Sequence, residues 1–219
     1  MIRDHIFDRS PYEGFVPPNA TLTSNEETHP VFREVFRHAR PRTILEVGTW
    51  KGSSAILMAT LCKEMGLDGA EIVCIDTWLG SHEMWEDRTP GSYWGYDSLG
   101  LEHGFPSVYR QFLGNVVLSG HADVITPFPV SSNNAAVFLA RKGVTADLIY
   151  IDGGHDYRDV KSDIDAYWPL VRPGGVLLGD DYHAGGPGVI RAADEFAATA
   201  GLRLVPLAGK WMVLKPAAG

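Results

Sequence analysis

Four short apolar runs punctuate the chain: Thr43-Ile44-Leu45-Glu46-Val47, Ile72-Val73-Cys74-Ile75, Leu148-Ile149-Tyr150-Ile151 and Val176-Leu177-Leu178. Runs with so little alternation belong to parallel strands covered on both faces. Between them, apolar positions recur at helical spacing. After the third run Tyr157, Val160, Ile164 and Tyr167 form one stripe, with Arg158, Asp159, Lys161, Asp163 and Asp165 as the polar positions between. Pro173-Gly174-Gly175 reads as the stop before the next strand. This is a β–α–β crossover, right-handed almost without exception, so its strands are expected to run parallel. Further helices are expected from Ser24 to Ala39 (a Ser24/Glu27 capping box, closed by Pro41), over Ala55–Met65, within Pro106–Val117, over Ala135–Arg141 and over Val189–Thr199. Ala122–Phe128 reads as one more strand, and Leu202–Pro206 with Lys210–Leu214 as a terminal antiparallel pair. The expectation is an α/β fold with a Rossmann-like, seven-stranded, mostly parallel sheet, helices on both faces and an antiparallel C-terminal strand. One domain spans residues 1–219.

Two stretches depart from this plan. Residues 1–40 are an N-terminal arm and helix; the first 23, with Pro11, Pro17 and Pro18, wrap the domain, fold over a ligand or hang as a loose arm. Residues 78–112 interleave Trp78, Trp85, Tyr93, Trp94 and Tyr96 with many glycines, too aromatic for a linker and too glycine-rich for one helix. An aromatic lid over a substrate and a subunit contact both fit.

Composition narrows the partners. The 219 residues are 45% hydrophobic and 21% charged, with a formal net charge of −8 and 19 scattered basic residues. That balance argues against a protein built to grip nucleic acid. Cys62 and Cys74 are the only cysteines, so neither a disulfide framework nor a cysteine metal cluster is available. The charged N-terminus has no apolar h-region and no segment approaches ~20 consecutive apolar residues, so the protein is expected to be cytoplasmic with no membrane partner. The sequon Asn19-Ala20-Thr21 then has no use.

The chemistry gathers at strand carboxyl ends, where open α/β sheets bind ligands. The first strand runs into Glu46-x-Gly48-x-x-x-Gly52, not G-x-G-x-x-G; Trp50 replaces the second glycine of the dinucleotide fingerprint, which disfavours an NAD dehydrogenase. Gly48 permits a sharp turn and close approach to a ligand, and Glu46 suits a ligand bearing an ammonium group. Asp76, ending the second strand, is placed for two ribose hydroxyls. Ser131 or Ser132 follows the third strand, as a helix cap or against a base edge. Asp152, Asp180 and Asp181 end the fourth and fifth strands, and three carboxylates repel unless a cation or proton offsets them.

Together EVGTWKG, CIDTW, DLIYIDGGHDY, RPGG and GDDY resemble the class I S-adenosylmethionine-dependent methyltransferases. The likeness is to their metal-dependent branch, and within it to the macrocin and mycinamicin sugar O-methyltransferases and cephalosporin hydroxylase. The resemblance implies S-adenosylmethionine held by Glu46, Gly48, Trp50, Gly52, Ser53, Asp76, Thr77, Trp78, Ser131 and Asp152. It implies Mg²⁺ or another divalent cation on Asp152, Asp180 and Asp181, all-oxygen ligands suited to a hard ion. Asp152 and His155 would be the catalytic residues, His155 as a base with a pKa near neutral and His183 as its competitor. The activity implied is metal-assisted methylation of a hydroxyl on a small acceptor, a sugar or natural product, by a homodimer or larger homo-oligomer. A metal-assisted hydroxylase-like enzyme of the same fold and a non-catalytic cofactor-binding partner protein are the rivals.

Overall fold

The computed structural model describes residues 1–17 and 30–218. The Ser24/Glu27 capping box and the Asn19 sequon lie outside the described residues.

Seven strands form the main sheet: β1 (Thr43–Val47), β2 (Glu71–Asp76), β3 (Ile125–Pro129), β4 (Ala146–Ile151), β5 (Val171–Gly179), β6 (Leu204–Leu207) and β7 (Lys210–Leu214). Their spatial order is 3-2-1-4-5-7-6. β1 to β5 are mutually parallel, whereas β7 pairs antiparallel with both β5 and β6. The order reverses between β1 and β4, the switch point where such sheets open a crevice.

Alternation along each strand divides the core between two faces. Ile44, Ile72, Cys74, Leu148, Tyr150, Val176 and Leu178 pack under helices α1 (Pro30–Ala39), α2 (Ser53–Glu64) and α3 (Val108–Ser119). Leu45, Val47, Val73, Ile75, Ile149, Ile151 and Leu177 pack under α4 (Ser132–Arg141), α5 (Tyr157–Tyr167) and α6 (Pro187–Ala200). The period of two sends successive side chains into opposite layers, which is why these strands read as continuous apolar runs.

Several expectations need correcting. Pro173-Gly174-Gly175 does not stop the chain before a strand; β5 runs through it with a register shift opposite β4, and Gly174 donates its N–H to Lys215 O at 3.0 Å. α2 and α4 begin at Ser53 and Ser132, a serine-bearing first turn that apolar spacing alone passes over. The described part of the N-terminal arm is tied to the sheet edge opposite the strand carboxyl ends. Ile2 and Arg3 N–H donate to Glu71, and the Arg3 guanidinium to Thr126, Ala122 O and Ile125 O. The 78–112 insertion is anchored in the first core layer through Trp78, Met84, Leu99, Val108 and Phe112. No helix among the described residues is long and apolar enough to cross a membrane.

Gly48 shows how tightly the switch point is built. Its φ is +78°, and a Cβ there would lie 2.1 Å from the Asp152 carbonyl oxygen. Gly48→Ala is therefore expected to destabilise the fold by about 2–4 kcal/mol, from the left-handed backbone and the overpacking together. Urea unfolding of the variant checks this.

Candidate functional site

An open cleft of about 320 Å³ runs along the carboxyl edge of β3, β2, β1 and β4. Gly48, Thr49 and Trp50 form its wall after β1, Asp76 and Thr77 after β2, Ser131, Ser132 and Asn133 after β3, and Asp152, Gly153 and Gly154 after β4. Of the residues expected to hold a cofactor, Gly48, Trp50, Asp76, Thr77, Ser131 and Asp152 thus line one surface. Ser131 has the extended backbone of an N-cap, but its side chain makes no capping bond.

Glu46, Gly52, Ser53 and Trp78 stand behind that surface. Glu46 is fully buried and accepts hydrogen bonds from Thr49 Oγ1 at 2.5 Å, from Ser54 Oγ and from Cys74 Sγ at 3.3 Å. It braces the glycine turn against α2. Trp78 is 2% exposed, and its indole N–H donates to Trp50 O at 2.7 Å. Asp76 likewise has a bracing role: its carboxylate accepts the backbone N–H groups of Thr49, Trp50 and Trp78 at 2.7–3.0 Å. Trp50 and Trp78 both hold positive φ, the kind of backbone strain that clusters at binding sites.

Two donors in this wall lack partners among the described residues. Trp50 Nε1 and Ser81 Oγ are both buried without a hydrogen bond, and both residues line the cleft. Buried polar atoms are rarely left so unless a ligand or water completes them.

Beyond Asp152 lies a second hollow, bounded by Glu83, Asp87 and Trp94 of the insertion and by His155 and Asp181. Trp94 stacks on His155 at 6.4 Å between ring centroids and contacts Trp50 at 5.0 Å, so this one side chain borders both hollows. Asp152, His155 and Asp181 each offer a ligand atom within 4.8 Å of the others. His155 Nε2 lies 2.9 Å from Asp181 Oδ2, and its Nδ1 lies 3.4 Å from Glu83 Oε2. His183 Nε2 lies 3.0 Å from the other Asp181 oxygen. The two histidines considered as bases therefore converge on one carboxylate, carried on a residue with a φ of +54°.

The charges follow from that geometry. The hydrogen bond to Asp181 raises His155 to about 9, opposed by burial and assisted by Asp181, Asp152 and Glu83 charge. While Asp181 faces it with no cation between them, His155 is held in its protonated form. The same hydrogen bond depresses Asp181.

Asp180 departs from the expected set of three. Its carboxylate turns away to Lys210 Nζ at 2.6 Å and to the Tyr150 hydroxyl at 2.7 Å. Lys210 is 2% exposed and also donates to the Tyr150 oxygen at 2.9 Å, while Tyr150 reaches Asp152 at 3.2 Å. The structure brings Asp152 and Asp181 together with His155 and commits Asp180 to an ion pair. Sequence reasoning missed Lys210 and Tyr150. A lone lysine opening the buried strand KWMVL was the available signal.

The family described as "Methyltransferase domain" matches residues 45–182. A curated relative, the uncharacterized protein R132 of Acanthamoeba polyphaga mimivirus, is 26% identical over 160 residues, 71% of this chain and 59% of that protein. The chain thus matches less than two thirds of that relative's length. Among solved structures, the O-methyltransferase TomG of Streptomyces achromogenes, involved in tomaymycin synthesis and solved with S-adenosylmethionine, is 15% identical with a TM-score of 0.62, each chain covered in full. CalS11, a calicheamicin methyltransferase also described as a TDP-rhamnose 3′-O-methyltransferase, is 18% identical with a TM-score of 0.60, covering 84% of this chain and 77% of that one. At these identities the likeness is one of fold.

Proposed function

The chain belongs to the methyltransferase-domain family, and from that premise we propose that it transfers the methyl group of S-adenosylmethionine to a hydroxyl of a small molecule, assisted by a divalent cation. The carrying observation is that Asp152 is shared between two hollows, the cleft over β1–β4 and the hollow with His155 and Asp181. Methyl transfer needs the acceptor oxygen in line with the carbon–sulfur bond, with donor and acceptor on opposite sides of the travelling carbon. The orphaned Trp50 and Ser81 donors fit a ligand rich in acceptors on the cofactor side.

Asp152 and Asp181 fit a divalent ion by the spacing of their carboxylate oxygens, with His155 beside them. Carboxylate oxygens suit hard ions, Mg²⁺ and Mn²⁺ alike. Such an ion would orient vicinal oxygens and acidify the acceptor hydroxyl. The bond from acceptor oxygen to methyl forms as the carbon–sulfur bond breaks, leaving a neutral thioether. The hydroxyl proton passes to His155, once that imidazole has lost its own, or to His183. A sugar or other natural product fits the aromatic wall of Trp94 and Trp50, which offers ring faces for stacking. TomG and CalS11, sharing the fold, are described as O-methyltransferases of natural-product chemistry.

Calorimetry of S-adenosylmethionine binding to EDTA-treated protein, repeated with Mg²⁺ and Mn²⁺, tests the proposal. Micromolar cofactor affinity is expected, with a metal isotherm that weakens at least about 100-fold in Asp152→Ala. Absence of cofactor binding would overturn the transferase reading; cofactor binding without any metal isotherm would remove the cation alone.

A further inference from the structure

Asp163 is a charged side chain in the cleft wall that the proposed reaction does not use. It falls in the buried stripe of α5 between Val160 and Tyr167 and is only 5% exposed. Its carboxyl nonetheless reaches the cleft, because the turn in front of it bears no side chains. A Cβ on Gly153 would lie 3.2 Å from Asp163 Oδ2, and one on Gly154 2.6 Å from Asp159 Oδ2. Burial pushes the carboxyl up to about 6, against a hydrogen bond with Ser132 that lowers it and an Asp159 charge that raises it. The facing turn is held in place from α5. Ser162 Oγ donates to Asn133 Oδ1 at 3.2 Å, and the Tyr167 hydroxyl donates to Ser132 O at 2.8 Å.

The order of the strands decides which part of a ligand meets this carboxyl. The hollow with His155 and Asp181 lies at the ends of β4 and β5, Asp76 ends β2, and the turn Ser131–Asn133 follows β3 beyond it. A nucleoside whose reacting end lies at Asp152 and whose ribose lies at Asp76 brings its base to Ser131–Asn133 and Asp163. We propose that Asp163 reads that base, accepting a hydrogen bond from the 6-amino group of adenine beside Ser132. This rests on the cofactor reading above. Adenine presents a donor at position 6 and an acceptor at N1, and a carboxyl matches the first as acceptor. A 6-oxo base puts an acceptor where the donor was and sets two lone pairs against each other.

The test compares S-adenosylhomocysteine with its 6-oxo analogue, S-inosylhomocysteine, by calorimetry on the full chain and on Asp163→Asn. The wild type is expected to favour the amino form by about tenfold to a hundredfold. The amide introduced by Asp163→Asn can donate to the oxo group, so the preference is expected to fall below about threefold or to invert, which loss of a merely structural bond to Ser132 would not produce. Asp163→Ser serves as a second variant, with the same loss of discrimination expected. Equal affinity of the wild type for both ligands overturns the proposal, as does full discrimination kept in the variants. Failure of the wild type to bind either ligand instead removes the cofactor reading itself.

Discussion

Lys210→Met is expected to lower the folding free energy by about 3 kcal/mol, measured by urea unfolding at pH 7. The ammonium of Lys210 is 2% exposed, pairs with Asp180 at 2.6 Å and lies 5.1–5.2 Å from the ring centroids of Tyr150 and Phe32. Its methylenes are replaced well by methionine, so the cost is electrostatic. Asp180 is left with a carboxylate facing the core and only the Tyr150 hydroxyl on that side. Breaking a buried pair from one end costs about 3–5 kcal/mol. The lower end applies because Asp180 keeps 24% of its side-chain surface in water. Adding Asp180→Asn should restore most of the loss, giving a coupling of about 2 kcal/mol in a double-mutant cycle. A cost below about 1 kcal/mol in Lys210→Met would mean that Asp180 is free to turn toward Asp152 and Asp181.

That ion pair also shows where the sequence stops being readable. The strands were legible because each buried strand sends alternate residues into two apolar layers, and the carboxyl ends of β1, β2 and β4 followed directly. Position along a strand does not say where a terminal side chain turns. Asp180 and Asp181 are neighbours, yet one faces Lys210 on β7 and the other faces His155, because the backbone at Asp181 takes a φ of +54°. The partner of Asp180 stands thirty residues away on an antiparallel strand, and local pattern carries no information about that pairing. Glu46 was readable as a buried position as well. It pairs in register with Cys74 and shares the face of Ile44, which packs under α2. Asp163 was readable too, since it lies three residues after Val160 and four before Tyr167, inside the apolar stripe rather than beside it.

In metal-free protein Asp181→Ala is expected to bring the His155 titration, followed by NMR, from about 9 back toward 6.5. The hydrogen bond to Asp181 is the largest cause of the elevation, while Glu83 at 3.4 Å and the Asp152 charge add less. The same contact appears in stability. A histidine whose folded pKa is raised contributes fully below its unfolded pKa of ~6.5 and loses that contribution as the pH climbs through about 9. The wild type should therefore lose stability between those values, and Asp181→Ala should be flat there. The shift corresponds to about 3 kcal/mol at most, and to about 2 after allowing for water at a partly exposed imidazole. Asp181 is depressed by the same contact, so its own share is lost on the acid side and the two are one interaction counted once. A titration that stays near 9 in Asp181→Ala would assign the proton to Glu83 or Asp152 instead. The outcome bears on the chemistry directly: while Asp181 holds the imidazole in its protonated form, His155 is a hydrogen-bond donor in the hollow, and it becomes able to accept a hydroxyl proton only when that contact is released.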